Sequence, residues 1–420
     1  MDAYLLGAGF SKAMHSAMPT LKELGPQIIA ELKRDGHLRP DDEPLAPFAG
    51  DVEAWLSHLS TSEPWNTEDA DLENQALFVK ASRVINKVIT TSTPDWGQLA
   101  EDSRDVLTRL AHHWSLHRSP ILTFNYDLIV EQAIQERIRE LPAYPGASGD
   151  KDRLIDYYAL TLTFRRVFTP FFSASKATDD IPTLYKLHGS VNWLYSGLEA
   201  PQAPVVLKEE QDPKFGHEHI YDDLSPLIIP PTNSKSVFYN HRALRAQWHN
   251  AYEVLRAADR LIVMGYSLPP TDLQVRTMLG MALREGTEVI VIDRCPEVAE
   301  RWKHLRRDLH VQGIHGDAPV ADYVEAQCEY VATWRATVNQ PPSGEQHLTV
   351  QGRLHETRPW TREPSPIEAA MGMLVQSWPS MEKRWKTISN PEIGVGKWEA
   401  RMIVSRDDYQ RCPNPWNNAA

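Results

Sequence analysis

Apolar residues in this chain fall into short runs closed by turn residues. "AYLLGAG", "SPILTFNYD", "TLYKLHGS", "SPLIIPP", "DRLIVMGYS" and "EVIVIDR" each carry a few apolar positions into glycine, proline, asparagine or aspartate, and helix-length segments separate most of them. That alternation predicts an α/β fold, a Rossmann-like doubly wound and mostly parallel sheet with helices on both faces. The later units are the clearest. Residues 241–258, "HRALRAQWHNAYEVLRAA", repeat apolar positions at helical spacing. A strand at 260–264, a helix at 271–284, a strand at 287–293 and a helix at 296–305, with Pro296 in its first turn, are then expected.

Residues 20–118 read differently. "LKELGPQIIAELKR", "VEAWLSHLS", "ENQALFVKASRVINKVI" and "DWGQLAEDSRDVLTRLAHHW" are amphipathic helices with no strand between them, so a helical insertion is expected there. A second insert, irregular and rich in Gly, Ser and Asp, is expected at about 140–182. From about residue 336 the text breaks again at "NQPPSGEQ", "TRPWTREPSP" and "RCPNPWNN". Six of the 13 tryptophans stand at or after Trp334, too many rings for a solvated tail. The expected organisation is therefore a domain over 1–335 and a Trp-rich extension over 336–420, either folded back on the domain or serving as a regulatory or oligomer interface.

Composition narrows the partners. The chain has 420 residues, 42% hydrophobic and 24% charged, with a formal net charge of −12 that argues against broad nucleic-acid binding. The acid excess lies wholly in the first 340 residues. Cys295, Cys328 and Cys412 are scattered, with no CxxC pair, so neither a disulfide framework nor a cysteine zinc site is expected within one chain. No export signal and no run of the ~18 apolar residues a span requires is present. A cytoplasmic location without membrane attachment is the expectation.

The chemistry is expected at the carboxyl ends of the strands, where open α/β sheets bind ligands. The turn Gly7-Ala8-Gly9-Phe10-Ser11 offers unhindered backbone N–H groups beside a helix start, a place for phosphate. It is not the dinucleotide fingerprint of dehydrogenases, since Lys12 stands where the third glycine belongs, and it is not a P-loop. The other ends carry Thr123-Phe124-Asn125-Tyr126-Asp127, Leu187-His188-Gly189-Ser190, Gly265-Tyr266-Ser267-Leu268 and Asp293. Each has a plain alternative. Asn125 or Asp127 would cap the next helix, His188 would be a satisfied histidine, Gly265 and Ser267 would form a turn, and Asp293 would bond a loop.

Taken in order and spacing, GAGFS, TFNYD, LHGS and GYSLPPTD resemble the sirtuin family over roughly residues 1–330. The resemblance implies an NAD site. Backbone groups of Gly7, Ala8 and Gly9 with Ser11 would receive the diphosphate, Phe10 and Thr123 would belong to the same cofactor-binding set, Asp127 would hold the nicotinamide carboxamide, and Asn125 would fix the ribose or the attacking water. His188 would accept a proton, Gly265 and Ser267 would meet the adenosine side, and Asp293 the ribose hydroxyls. The deacylases of that family hold a four-cysteine zinc module that three scattered cysteines cannot build, and no metal is expected. "YLLGAGFS", "TFNYD" and "YKLHGSVNWLY" look closest to the sirtuin-like NAD-hydrolysing domains of bacterial antiphage defence. That implies an NAD+ glycohydrolase acting as a toxic effector, assembled as a homo-oligomer and released by an activating partner. The alternatives are NAD-dependent deacylation, transfer of ADP-ribose, and a module that senses NAD or ADP-ribose without turnover.

Overall fold

Six parallel strands organise the first part of the chain in a computed structural model, which describes residues 1–139, 182–196, 205–207, 224–232, 235, 238–328, 330–339, 347–354, 359–362, 386–388 and 397–404. In order, the elements are β1 (Asp2–Leu6), α1 (Ala8–Met14), α2 (Leu21–Arg34), α3 (Val52–Ser60), α4 (Glu68–Ser92), α5 (Glu101–His117), β2 (Ile121–Thr123) and α6 (Ile129–Arg139). There follow β3 (Leu184–Lys186), β4 (Gly189–Tyr195), β5 (Val206–Leu207), β6 (Ser225–Ile228), α7 (Arg242–Ala257), β7 (Arg260–Met264), α8 (Leu273–Ala282), β8 (Glu288–Ile292), α9 (Glu297–Lys303), β9 (His310–Ile314) and α10 (Pro319–Gln327). The last strands are β10 (Tyr330–Asn339), β11 (His347–Leu354), β12 (Pro359–Arg362), β13 (Lys386–Ile388) and β14 (Lys397–Val404).

The parallel sheet runs β3-β2-β1-β7-β8-β9. Counted along the sheet this is the 3-2-1-4-5-6 order of the Rossmann fold, so the chain reverses its winding between β1 and β7. Tyr4 stands between Ile121 and Ile262, and Leu6 between Thr123 and Met264. Leu5, Leu261, Val263, Val289, Val291 and Trp302 are fully or almost fully buried in the core on one face. Each aliphatic side chain there contributes on the order of 1.5–3 kcal/mol.

Between β1 and β2 the described chain is helical, as expected. Helix α2 starts in a capping box in which Glu23 accepts from the Thr20 backbone and hydroxyl at 2.8 Å each. Helix α4 turns Phe78, Ala81, Val84, Ile85, Val88 and Ile89 inward.

Two expectations about strands are corrected. "SPLIIPP" does not join the parallel sheet: β6 pairs antiparallel with β4 at the edge of a separate sheet ordered β5-β4-β6. Pro226 inside the strand and Pro230 after it remove backbone donors, which an edge tolerates and a central strand does not. The sixth strand of the parallel sheet is β9 instead, whose "HVQGI" lacks an apolar run because it is a half-exposed edge.

The chain divides into two units. One holds Met1–Arg104, Trp114–Ile134 and Ile155–Tyr323, and with them the parallel sheet; the other holds Asp105–His113, Gln135–Leu154 and Val324–Ala420. In the second unit, the Arg109 guanidinium donates to the Val324 and Cys328 carbonyls at 3.0 Å each and to Glu325 at 2.9 Å. Its strands form an antiparallel sheet ordered β12-β11-β10-β14-β13, with Trp334 and Trp360 both opposite Gly352. Most of the second insert expected at 140–182, and Trp378, Trp385 and Trp416, lie outside the described residues.

Candidate active site

The strand ends of β1, β2, β3 and β7 meet at the winding reversal, and glycine decides how closely. Gly265 has φ +63°, and a Cβ there would stand 2.1 Å from the Phe10 backbone nitrogen. A Cβ on Gly7 would come within 2.6 Å of the Gly265 carbonyl oxygen, and one on Gly9 within 2.8 Å of the Gly265 Cα. The Gly7 N–H donates to the Met264 carbonyl at 3.0 Å and the Gly9 N–H to the Gly265 carbonyl at 2.9 Å. Two of the amides expected to face a diphosphate, those of Gly7 and Gly9, are therefore spent on the neighbouring strand end. Among the described residues no acceptor meets the exposed Ala8 N–H at the start of α1, so that amide remains for an anion. Phe10 sends its side chain into the core, fully buried.

A buried polar chain crosses the same edge. Thr123 donates its hydroxyl to the Leu6 carbonyl at 3.2 Å and accepts from the Asn125 N–H at 3.0 Å. The Asn125 amide nitrogen donates to the Gly7 carbonyl and to the Ser11 hydroxyl, both at 2.9 Å, which leaves the side-chain oxygen of Asn125 as an acceptor. The Ser11 hydroxyl donates a hydrogen bond to Asp127 at 2.7 Å, and the second oxygen of Asp127 accepts from the Ile129 N–H at 3.1 Å, capping α6. Below the loop, fully buried Lys186 donates to Glu131 at 2.6 Å and to the Tyr126 and Asp127 carbonyls, fixing the backbone on both sides of the turn.

His188 follows β3. Its ring lies 4.9 Å from Phe124 and 6.4 Å from Tyr126, the two residues flanking Asn125, and 6.3 Å from Trp248, whose indole N–H donates to the Leu187 carbonyl at 2.8 Å. His188 Nε2 is buried with no hydrogen-bond partner among the described residues. Burial first, and then the charge of Lys235, hold the imidazole down to about 3, against the opposing pull of Asp272. At neutral pH it is an uncharged base with a free ring nitrogen.

Around His188 stand groups that the strand-end reading missed. Lys235 pairs with Asp272 and lies 3.8 Å from Glu53 of the helical insertion; Asp272 also accepts from the Tyr266 hydroxyl at 2.8 Å, and Glu53 from Thr271 at 3.0 Å. Burial pushes the Glu53 carboxyl up; at Asp272 burial also pushes up, but the opposing pull of its neighbours, Lys235 and the Tyr266 hydroxyl among them, holds the carboxyl down. Tyr239 packs edge-on against Trp248 at 4.8 Å, with its hydroxyl buried and unpartnered among the described residues. Burial and the nearby Asp272 raise Tyr239, so it stays protonated and able to donate. Asp272 ends the "PPTD" stretch already singled out, while Lys235, Glu53 and Tyr239 follow no apolar run that would have marked them.

The remaining expected residues are less engaged. Ser267 is exposed beside Leu268, a non-glycine residue at φ +49°. Asp293 sits on the adjacent strand end, where the Gly265 N–H meets the Ile292 carbonyl at 3.0 Å, and accepts from the Cys295 N–H at 2.9 Å. Among the described residues no helix is long and apolar enough to cross a membrane.

Comparison with known proteins adds one family. Residues 119–314 match the family model described as a SIR2-like domain, a span that holds Thr123, Asn125, Asp127, His188, Gly265, Ser267 and Asp293 and starts after the Gly7 turn. Domains of this kind bind NAD as substrate or cofactor. No curated protein matches the chain. A solved chain described as "Structural Basis for the Mechanism and Regulation of Sir2 Enzymes" is similar at 13% identity over 77% of this chain and 92% of that one, with a TM-score of 0.33.

Proposed function

We propose that this chain, which carries a SIR2-like domain, is an NAD+ glycohydrolase that cleaves NAD+ to nicotinamide and ADP-ribose. One observation carries the reading: an uncharged, buried His188 whose Nε2 has no partner among the described residues, set against the two residues that flank Asn125. Nicotinamide in NAD+ leaves as a neutral molecule with the electrons of its ribose bond, so the step asks little of a general acid and much of a positioned water. Asn125, pinned by Gly7 and Ser11, presents its oxygen to that water or to a ribose hydroxyl. His188 accepts the proton as oxygen bonds to the ribose carbon, and Ala8 offers its free N–H to the diphosphate. Ser11 and Asp127 hold Asn125, and Asp127 keeps lone pairs for a carboxamide N–H.

The test is nicotinamide release from NAD+ by purified protein, beside His188→Ala and Asn125→Ala, with NAD binding measured in parallel. Release lost in both variants while binding persists supports the hydrolase. Binding without release in every form, with any candidate partner or assembly state supplied, refutes it and leaves a sensing module; ADP-ribose or acyl transfer to an added acceptor points to transferase or deacylase chemistry instead.

The finer reading is a toxic effector of antiphage defence in the cytoplasm, supported by the resemblance of GAGFS, TFNYD and LHGS to such domains. It predicts that expression in bacteria depletes NAD and halts growth once the activating partner is present, and that His188→Ala is harmless. If a chain lacking residues 340–420 keeps both its assembly and its control, those residues are not the regulatory segment.

A further inference from the structure

The outward face of α4 carries exposed apolar side chains. Trp65, just before the helix, is 74% exposed, Leu72 58% and Val79 51%, in a chain where most large apolar side chains of the described residues are buried. At 100° per residue, Asp69, Leu72, Ala76, Val79 and Arg83 fall within about 80° of arc, opposite the face that carries Phe78, Ala81, Ile85 and Val88. Their spacing alternates four and three, that of a helix-pairing seam.

The charges along this stripe have a direction. The amino-terminal half of α4 carries Glu68, Asp69 and Glu73, and the following stretch Lys80 and Arg83; all are exposed, and none enters an ion pair among the described residues. A parallel partner of the same sequence would set like against like. An antiparallel one, crossing at Ala76, sets Asp69 of each copy against Arg83 of the other, both seven residues from the crossing, and packs Leu72 and Val79 across the seam. Ala76 is small enough to let two helix backbones approach.

We propose that α4 is a self-association surface on which a second copy of this chain docks antiparallel about a two-fold axis at Ala76. The helix has 25 residues, about 37 Å, and an isologous contact uses it twice. Nearby exposed Trp65 supplies an aromatic anchor at each end of the contact. The proposal stands apart from the NAD reading, since its test measures mass and not turnover.

The test is sedimentation velocity of the full chain over a hundredfold range of concentration, with Asp69→Arg, Arg83→Asp, the two variants mixed, and both changes in one chain. Wild type is expected at no less than twice the single-chain mass of 47.7 kDa. Each single variant puts like charges at both crossing points and halves that mass. The mixture, and the doubly changed chain, restore opposite charges at both points and recover it. Leu72→Glu halves the mass with no rescue by either charge variant. A wild type that stays at single-chain mass throughout, single variants that assemble like wild type, or a mixture that fails to recover would each overturn the proposal.

Discussion

Protonating His188 in the folded protein should cost stability, and the size follows from its surroundings. Burial and Lys235 hold the folded imidazole down to about 3, against 6.5 in an open chain. A depressed cationic group contributes nothing against folding above pH 6.5; as pH falls from there toward 3, the unfolded chain takes up a proton that the folded chain refuses. At pH 5 the resulting loss is about 2 kcal/mol, and near pH 3 it approaches roughly 4–5 kcal/mol, at 1.36 kcal/mol per unit. Wild type and His188→Phe would be unfolded with denaturant at pH 7 and pH 5. The substitution has its own packing cost, which cancels when the pH 7 to pH 5 loss is compared between the two proteins. Wild type should lose about 2 kcal/mol more than His188→Phe. Equal losses, or an imidazole seen by NMR to titrate near 6.5 in the folded protein, would refute the description of His188 as held uncharged by burial and Lys235.

Other outcomes follow from neighbouring groups. Gly265→Ala forces a Cβ into the Phe10 backbone at φ +63°, and should lower the thermal midpoint by several degrees while Gly280→Ala, with open space around it, leaves the midpoint unchanged or raised. Lys186→Met removes the ammonium that pairs with buried Glu131 and should cost about 3–5 kcal/mol in denaturant unfolding, with much of it regained when Glu131→Leu is added. Tyr239→Phe removes a buried hydroxyl that has no partner among the described residues, so folding stability should hold or rise slightly; calorimetry should then show NAD bound about tenfold more weakly if that hydroxyl donates to the ligand.

The sequence was readable where local pattern and final position coincide. The strands β1, β2, β7 and β8 are apolar runs because neighbouring strands flank them and helices cover the sheet, the edge strand β3 is apolar because its residues are buried all the same, and the polar residue after each run is brought to one end of the sheet by parallel pairing. Asn125, Asp127 and His188 were found that way. The edge strand β9 was not, because a half-exposed strand has no reason to be apolar, and "SPLIIPP" was assigned to the wrong sheet because a run of apolar residues does not name its partner. The turn glycines were legible as a need for space, but what fills that space is largely backbone: Gly7, Gly9 and Gly265 let two strand ends interlock. Glu53, Lys235 and Tyr239 carried no local mark, since the cluster of Glu53, Lys235 and Asp272 and the packing of Tyr239 on Trp248 arise only when distant parts of the chain fold together.

That convergence gives the helical insertion two faces with different consequences. Inward, α3 places Glu53 beside Lys235 and Thr271, within the charge cluster whose Lys235 and Asp272 act oppositely on His188. Outward, α4 carries the stripe of Leu72, Ala76 and Val79. The two helices pack on each other within one unit, and α3 carries Glu53 beside Lys235, one of the groups acting on His188. A coupling between the two faces would have a distinct signature. If assembly at α4 acts on the site through Glu53, the pH below which turnover fails should differ between assembled wild type and the Asp69→Arg single-chain form, and Glu53→Gln should erase that difference while leaving the mass unchanged. If the acid limits of the two forms coincide, the insertion's two faces act independently.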